Sequence, residues 1–138
     1  MKILSTLIIT ATLFFGSITS ENDTKITVTV PNVTSSTGKV HFALFNKKEQ
    51  FLKIPIQTKS AEIVEGKSTI VFEGISSGEY AVTCYHDKND NGKMDFEANG
   101  MPLEDYGASN NTMSFGPPQY HDAKFEVTDK NVSLEIRL

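Results

Sequence analysis

Cysteine is nearly missing from this 138-residue chain. Cys84 is the only one, so no disulfide can form within the molecule, and stability has to come from packing or from a bound ion. Basic clusters are missing as well: Lys47 and Lys48 are the only adjacent basic pair, Arg137 is the only arginine, and the net charge is −4. Phosphate backbones are gripped by clustered Lys and Arg, so nucleic acid is excluded as a partner. A membrane-spanning helix needs about 20 predominantly apolar residues. The apolar run from Ile3 to Phe15 is shorter and is interrupted by Ser5, Thr6, Thr10 and Thr12. There is no long amphipathic helical window, internal repeat or low-complexity tract.

What precedes and follows that run gives it a meaning. Met1 and Lys2 come before it, and the small or polar Gly16, Ser17, Ile18, Thr19 and Ser20 come after it. That order is the layout of a secretory signal peptide cleaved after Ser20. No cysteine follows, which excludes a lipid anchor on a new terminal cysteine. The expected organisation is therefore a signal peptide over residues 1–20 and one domain over residues 21–138, periplasmic or secreted, with no membrane span after cleavage. Loss of Lys2 takes the net charge to −5, and the remaining length suits one modest core.

Apolar and polar residues alternate along most of the mature chain, which marks half-buried strands. Ile26, Val28 and Val30 form one such set, and Val40, Phe42 and Leu44 a second. A weaker segment around Ala61 to Val64 precedes Ile70 and Phe72. Tyr80, Val82, Cys84 and His86 share a face of the next strand. Phe125 and Val127, then Val132, Leu134, Ile136 and Leu138, make two strands that a tight turn at Asp129–Asn131 would join. Asn46 to Lys53 reads as a turn of helix before Pro55. The expectation is an all-β fold: an antiparallel Greek-key β-sandwich, transthyretin-like or immunoglobulin-like, with one long ordered loop.

That loop runs from Asp87 to Tyr120 and carries apolar anchors such as Met94, Phe96, Met101 and Phe115, which a solvated linker would lack. Its first part places oxygen side chains at alternate positions: Asp87, Asn89 and Asn91, then Asp95 after Gly92. A chain that curls around a hard cation turns every second side chain inward. Glycine permits the sharp bend, and the carbonyl of Lys93 can add a ligand. Ala98 stands where an EF-hand would have its bidentate Glu, so this is another kind of loop, with further donors to come from Glu97, Asn99, Glu104, Asp105 or water. Hard oxygens favour Ca2+ over zinc or copper. In this reading Asp87 has no partner without the ion. The competing reading is a hairpin turn at Asn91–Gly92.

Three blocks carry a resemblance: GEYAVTCYHDKNDNGKMD, GMPLEDYGASNN and FGPPQYHDAKFEV, in that order. Together they resemble the bacterial family known as domain of unknown function 2141, over Ile26 to Leu138. The resemblance implies a small exported β-sandwich with no assigned activity. The matching positions are Asp87, Asn89, Asn91, Gly92, Asp95, Gly100, Pro102, Glu104, Tyr106, Gly107, Ser109 and Asn110; Ala108 departs from an aromatic position.

Three function classes compete. An enzyme would start from Cys84 with His86, a pair with no evident orienting group or oxyanion site, or from Glu104 with Asp105 near a bound cation, adjacent carboxylates that read as a solvated turn and would point apart in an extended chain. Cys84 beside Val82 reads as a buried small hydrophobe, and His41 and His121 read as strand-edge residues. A binding surface could form around His86, Glu104, Tyr106, Ser109 and Asn110, which offer the hydroxyls, amides and aromatic faces that a protein, peptide or glycan of the cell envelope would meet. The same polar groups could instead cap the backbone. The leading expectation is an exported, envelope-associated binding or structural module whose loop holds calcium. The alternative is a hydrolase using the Asp87–Tyr120 loop.

Overall fold

The structure is a computed structural model that describes residues 24–112 and 115–138. The expected signal peptide lies outside the described residues.

Two sheets face each other. One has three strands, in the order β4 (Ser68–Ile75), β1 (Thr24–Val30), β8 (Val132–Glu135). The other runs β3 (Gln57–Ala61), β2 (Lys39–Phe45), β5 (Gly78–Asp87), β6 (Tyr106–Ala108), with β7 (Phe125–Val127) also paired to β5. This is the sandwich that the alternation implies. The inward sets Ile26, Val28, Val30 and Phe72 from one sheet meet Val40, Phe42, Leu44, Val82 and Cys84 from the other in one buried core. Strand partners are antiparallel except β1 with β8, which run parallel.

Three details differ from the sequence reading. The third strand occupies Gln57–Ala61 rather than the segment beyond it; Val64 makes only an isolated bridge with Lys67. The last two strands do not form a hairpin, because β7 joins β5 and β8 joins β1 in the opposite sheet. The turn at Asp129–Asn131 is a crossing between layers, anchored where Asn131 Oδ1 accepts the Lys25 N–H at 2.9 Å. The third difference is a short helix, α1 (Tyr120–Ala123), which the sequence reading does not contain; the expected helical turn before Pro55 is present, as a 3-10 turn at Lys48–Gln50.

The five-stranded sheet also buries part of its outer face. Phe45, Phe51, Ala81, Ala108, Tyr120 and Ala123 form a second apolar cluster there. Phe51 makes edge contacts with both Phe45 and Tyr120, at centroid distances of 5.1 and 5.6 Å. The 3-10 turn and α1 thus cover one end of that face, and the long loop leaves β5 at the other end.

Candidate functional site

Strand β5 delivers the site. Alternation turns Val82, Cys84 and His86 into the core, which puts Asp87 on the outer face at the last position of the strand. Its side chain is nevertheless 0% exposed. Oδ1 accepts the Asn91 N–H at 3.2 Å, and Oδ2 accepts the Gly92 N–H at 2.8 Å and lies 3.0 Å from Nε2 of His41. Burial alone would push this carboxyl up. The Gly92 N–H, His41 and the Asn91 N–H outweigh burial and hold it below the ordinary carboxylate range. Asp87 therefore does have partners without an ion, contrary to the expectation from sequence, and it folds the start of the loop by itself.

The turn before β2 passes against the same strand end. Gly38 has φ +72°, and a Cβ there would sit 1.9 Å from the Asp87 carbonyl oxygen. Only glycine fits both the left-handed backbone and the close approach.

Asn91–Gly92 is not a two-residue hairpin. The favoured two-residue hairpin turns need positive φ at the first central residue, which would be Asn91, whereas here Asp90 (φ 52°) and Gly92 (φ 77°) are the left-handed ones. The chain also pairs with β5 again only at Tyr106–Ala108. Instead the alternate side chains converge. Asn89 Nδ2 donates to Asp95 Oδ2 at 2.7 Å, and Asn91 Nδ2 donates to both Asp95 oxygens at 2.9 and 2.8 Å. Asn91 Oδ1 accepts the Lys93 N–H at 3.1 Å.

The chain then doubles back. The Asp95 carbonyl accepts the Leu103 N–H at 2.9 Å, the Met101 carbonyl accepts the Glu97 N–H at 2.7 Å, and Phe96 bridges Pro102. This return brings Glu104 to the Asp95 N–H, at 3.4 Å from Oε2. Glu104 is buried. Burial raises its carboxyl above the ordinary value, the Asp95 N–H opposes that, and the negative charges of Asp87 and Asp95 add to the rise. Among the other donors expected, Asp105 pairs with Lys88 at 3.4 Å, and Asn99 Oδ1 accepts the Met101 N–H.

His41 and Asp90 were not expected at the site. Among the described residues, one group of potential metal-ligating atoms lies within 4.8 Å of one another, on His41, Asp87 and Asp90. The His41 ring stacks on Tyr85 with centroids 5.1 Å apart. His41 reaches Asp87 across the strand pair, a relation that alternation along one strand does not encode.

The remaining candidates are spread out. His86 is 0% exposed and donates from Nε2 to the Thr37 carbonyl at 2.7 Å, which leaves Nδ1 without a hydrogen-bond partner. Ser109 Oγ accepts the Val82 N–H at 3.0 Å and donates to the Ala123 carbonyl. Asn110 Nδ2 donates to the carbonyls of Asp122 and Lys124, both at 2.9 Å. Ser109 and Asn110 thus staple α1 to the sheet. Cys84 is 3% exposed and burial pushes its thiol up, so it is held as the neutral, unreactive form. Tyr106 donates its hydroxyl to the Gly116 carbonyl at 3.3 Å and stands in the wall of a cleft.

That cleft, about 600 Å³, lies on the outer face of the five-stranded sheet. Ala43 and Thr83, opposite each other on β2 and β5, contribute to its lining. Met94, Phe96, Met101 and Pro102 of the long loop form one side, and Leu52, Lys53 and Pro55 another. The loop that gathers Asp87 to Asp95 is therefore also a cleft wall.

The family described as uncharacterized protein conserved in bacteria (DUF2141) matches residues 28–135. The match spans most of the chain, and the protein belongs to that family. Neither the curated proteins nor the solved structures compared with it gave a match.

Proposed function

For a member of this bacterial family, we propose an exported, envelope-associated binding module whose long loop is ordered by a calcium-type cation. The cation would be held by Asp87, Asn89, Asn91 and Asp95, with the Lys93 carbonyl and Glu104 as further oxygens. One observation carries the reading: Asn89 and Asn91 converge on the Asp95 carboxylate, and the returning chain brings Glu104 Oε2 within 3.4 Å of the Asp95 N–H, so oxygen-bearing side chains from both arms of the loop meet in the turn that Asp87 closes. Among the described residues, no Lys or Arg side chain forms an ion pair with Asp87, Asp95 or Glu104; Asp87 pairs with His41. A loop rich in hard oxygens and without a Lys or Arg counter-charge suits a divalent ion.

The Asn side chains can serve either state. With their amide nitrogens on Asp95 they close the loop, and rotation about χ2 would turn the oxygens inward instead. Asp87 has three hydrogen bonds and spare lone-pair capacity, so it contributes as both organiser and ligand. Export rests on the short apolar run and the small polar residues after it. Intact mass of the envelope-fraction protein tests it, and retention of Met1 to Ser20 contradicts it. Calcium titration of chelator-treated protein by calorimetry tests the site. Saturable one-to-one binding that weakens in Asp95→Asn is expected, and no binding at millimolar calcium defeats the reading.

A further inference from the structure

The five-stranded sheet carries an apolar cleft that the cation loop borders but does not fill. Its walls stand open: Leu52, Phe96 and Met101 line it while 47%, 57% and 60% exposed. Its volume of about 600 Å³ falls within the usual range for small-molecule sites. One charged residue lines it, Lys53, and among the described residues the Lys53 ammonium has neither a hydrogen bond nor an ion pair. We propose that this cleft binds one long-chain fatty acid, with the acyl chain over Ala43 and Thr83 and the carboxylate at Lys53.

The polar inventory selects that ligand class. A peptide lying in the cleft would bring a backbone amide at every residue. The strands beneath are already hydrogen-bonded to their neighbours, so the face offers no open edge for strand addition. A glycan would need many donors and acceptors. The side chains available are Thr83, Tyr85, Tyr106 and Lys53, and the Tyr106 hydroxyl is already directed at Gly116. A ligand with one anionic end and a long apolar body leaves no polar group of its own unpaired. Met94 and Met101 in the wall are unbranched and adapt to a flexible chain.

This inference rests on the binding-module reading and gives it a ligand class, while the cation is a separate matter. The test is equilibrium dialysis of labelled hexadecanoate against the chain in chelator, since calcium precipitates fatty acids as soaps. Saturation at one per chain is expected. Lys53→Met should weaken hexadecanoate about threefold, the scale of an exposed ion pair, and leave hexadecan-1-ol unchanged. Ala43→Leu fills the floor and Met101→Asp puts a charge in an exposed wall. Each should weaken both ligands by about tenfold or more, equivalent to about 1.4 kcal/mol. Met101→Asp guards against a folding defect in Ala43→Leu, because its side chain already faces solvent. Absence of saturation, or indifference to both wall variants, overturns the site. Equal affinity for acid and alcohol overturns the role of Lys53. Calcium calorimetry without fatty acid separates the two proposals: either can fail while the other stands.

Discussion

Nε2 of His41 lies 3.0 Å from Oδ2 of Asp87, tying the second strand to the first residue of the long loop. The same carboxylate takes the Asn91 and Gly92 N–H groups. A single buried side chain thus joins the sheet to the loop that would hold an ion.

Asp87→Ala should therefore destabilise the protein with or without calcium. It removes the charged acceptor of two backbone N–H groups and an imidazole; Asn91 and Gly92 are exposed and His41 is partly so, and water can replace much of what is lost, which leaves a total cost of about 1–3 kcal/mol. The pH dependence has a definite sign. The Asp87 carboxyl is lower when folded than its ordinary 3.8. Its stabilisation is present above that value and disappears as pH falls through the folded value. Denaturation of the parent and the variant in chelator, compared from neutral to strongly acidic pH, should show the gap closing only at the acid end.

Glu104 should behave in the opposite way. Its folded value is raised, so the ionised form costs stability at neutral pH, and the cost is relieved as pH falls through the folded value. In chelator at neutral pH, Glu104→Gln should melt no lower than the parent. The difference should shrink as the solution is acidified towards the folded value. A large loss of stability in the variant at neutral pH would show that the carboxylate is satisfied without an ion.

Gly38 and Gly92 offer a paired test of the geometry around Asp87. Both have left-handed φ, but a Cβ at Gly92 meets nothing within 4 Å while one at Gly38 strikes the Asp87 carbonyl. Gly92→Ala should cost about 1–2 kcal/mol for the backbone alone. Gly38→Ala should cost clearly more and disturb the His41–Asp87 contact. Equal costs in chemical denaturation would mean that the close approach is absent.

Cys84 should label slowly with a water-soluble thiol reagent in the native state and rapidly once unfolded. The thiol is buried in the core and held neutral. Rapid native labelling would contradict its placement.

The alternation in β1, β2 and β5 was legible because each strand buries one face and leaves the other partly wet, so period two survives in the residues. β3 was misplaced because Gln57–Ala61 is mostly exposed on both faces and carries no such pattern. Faces are written in a strand but partners are not, which is why Phe125–Val127 and Val132–Glu135 read as a hairpin and lie in different sheets. The same limit hid His41, whose role depends on the strand beside it. The spacing of Asp87, Asn89, Asn91 and Asp95 was legible because all four lie in one short segment. The cleft was not, since Ala43, Leu52, Thr83, Phe96 and Met101 come together only in the folded chain.

Calcium binding is tested most directly by the melting temperature of the protein in excess calcium against chelator. If the loop binds calcium as extracellular modules do, with a dissociation constant of about 10⁻⁴–10⁻³ M, a hundredfold excess over the constant adds about 2.7 kcal/mol. The account predicts a rise of roughly 8–16 °C, less with magnesium, and most of it lost in Asp95→Ala. Identical melting curves in calcium and chelator would contradict it.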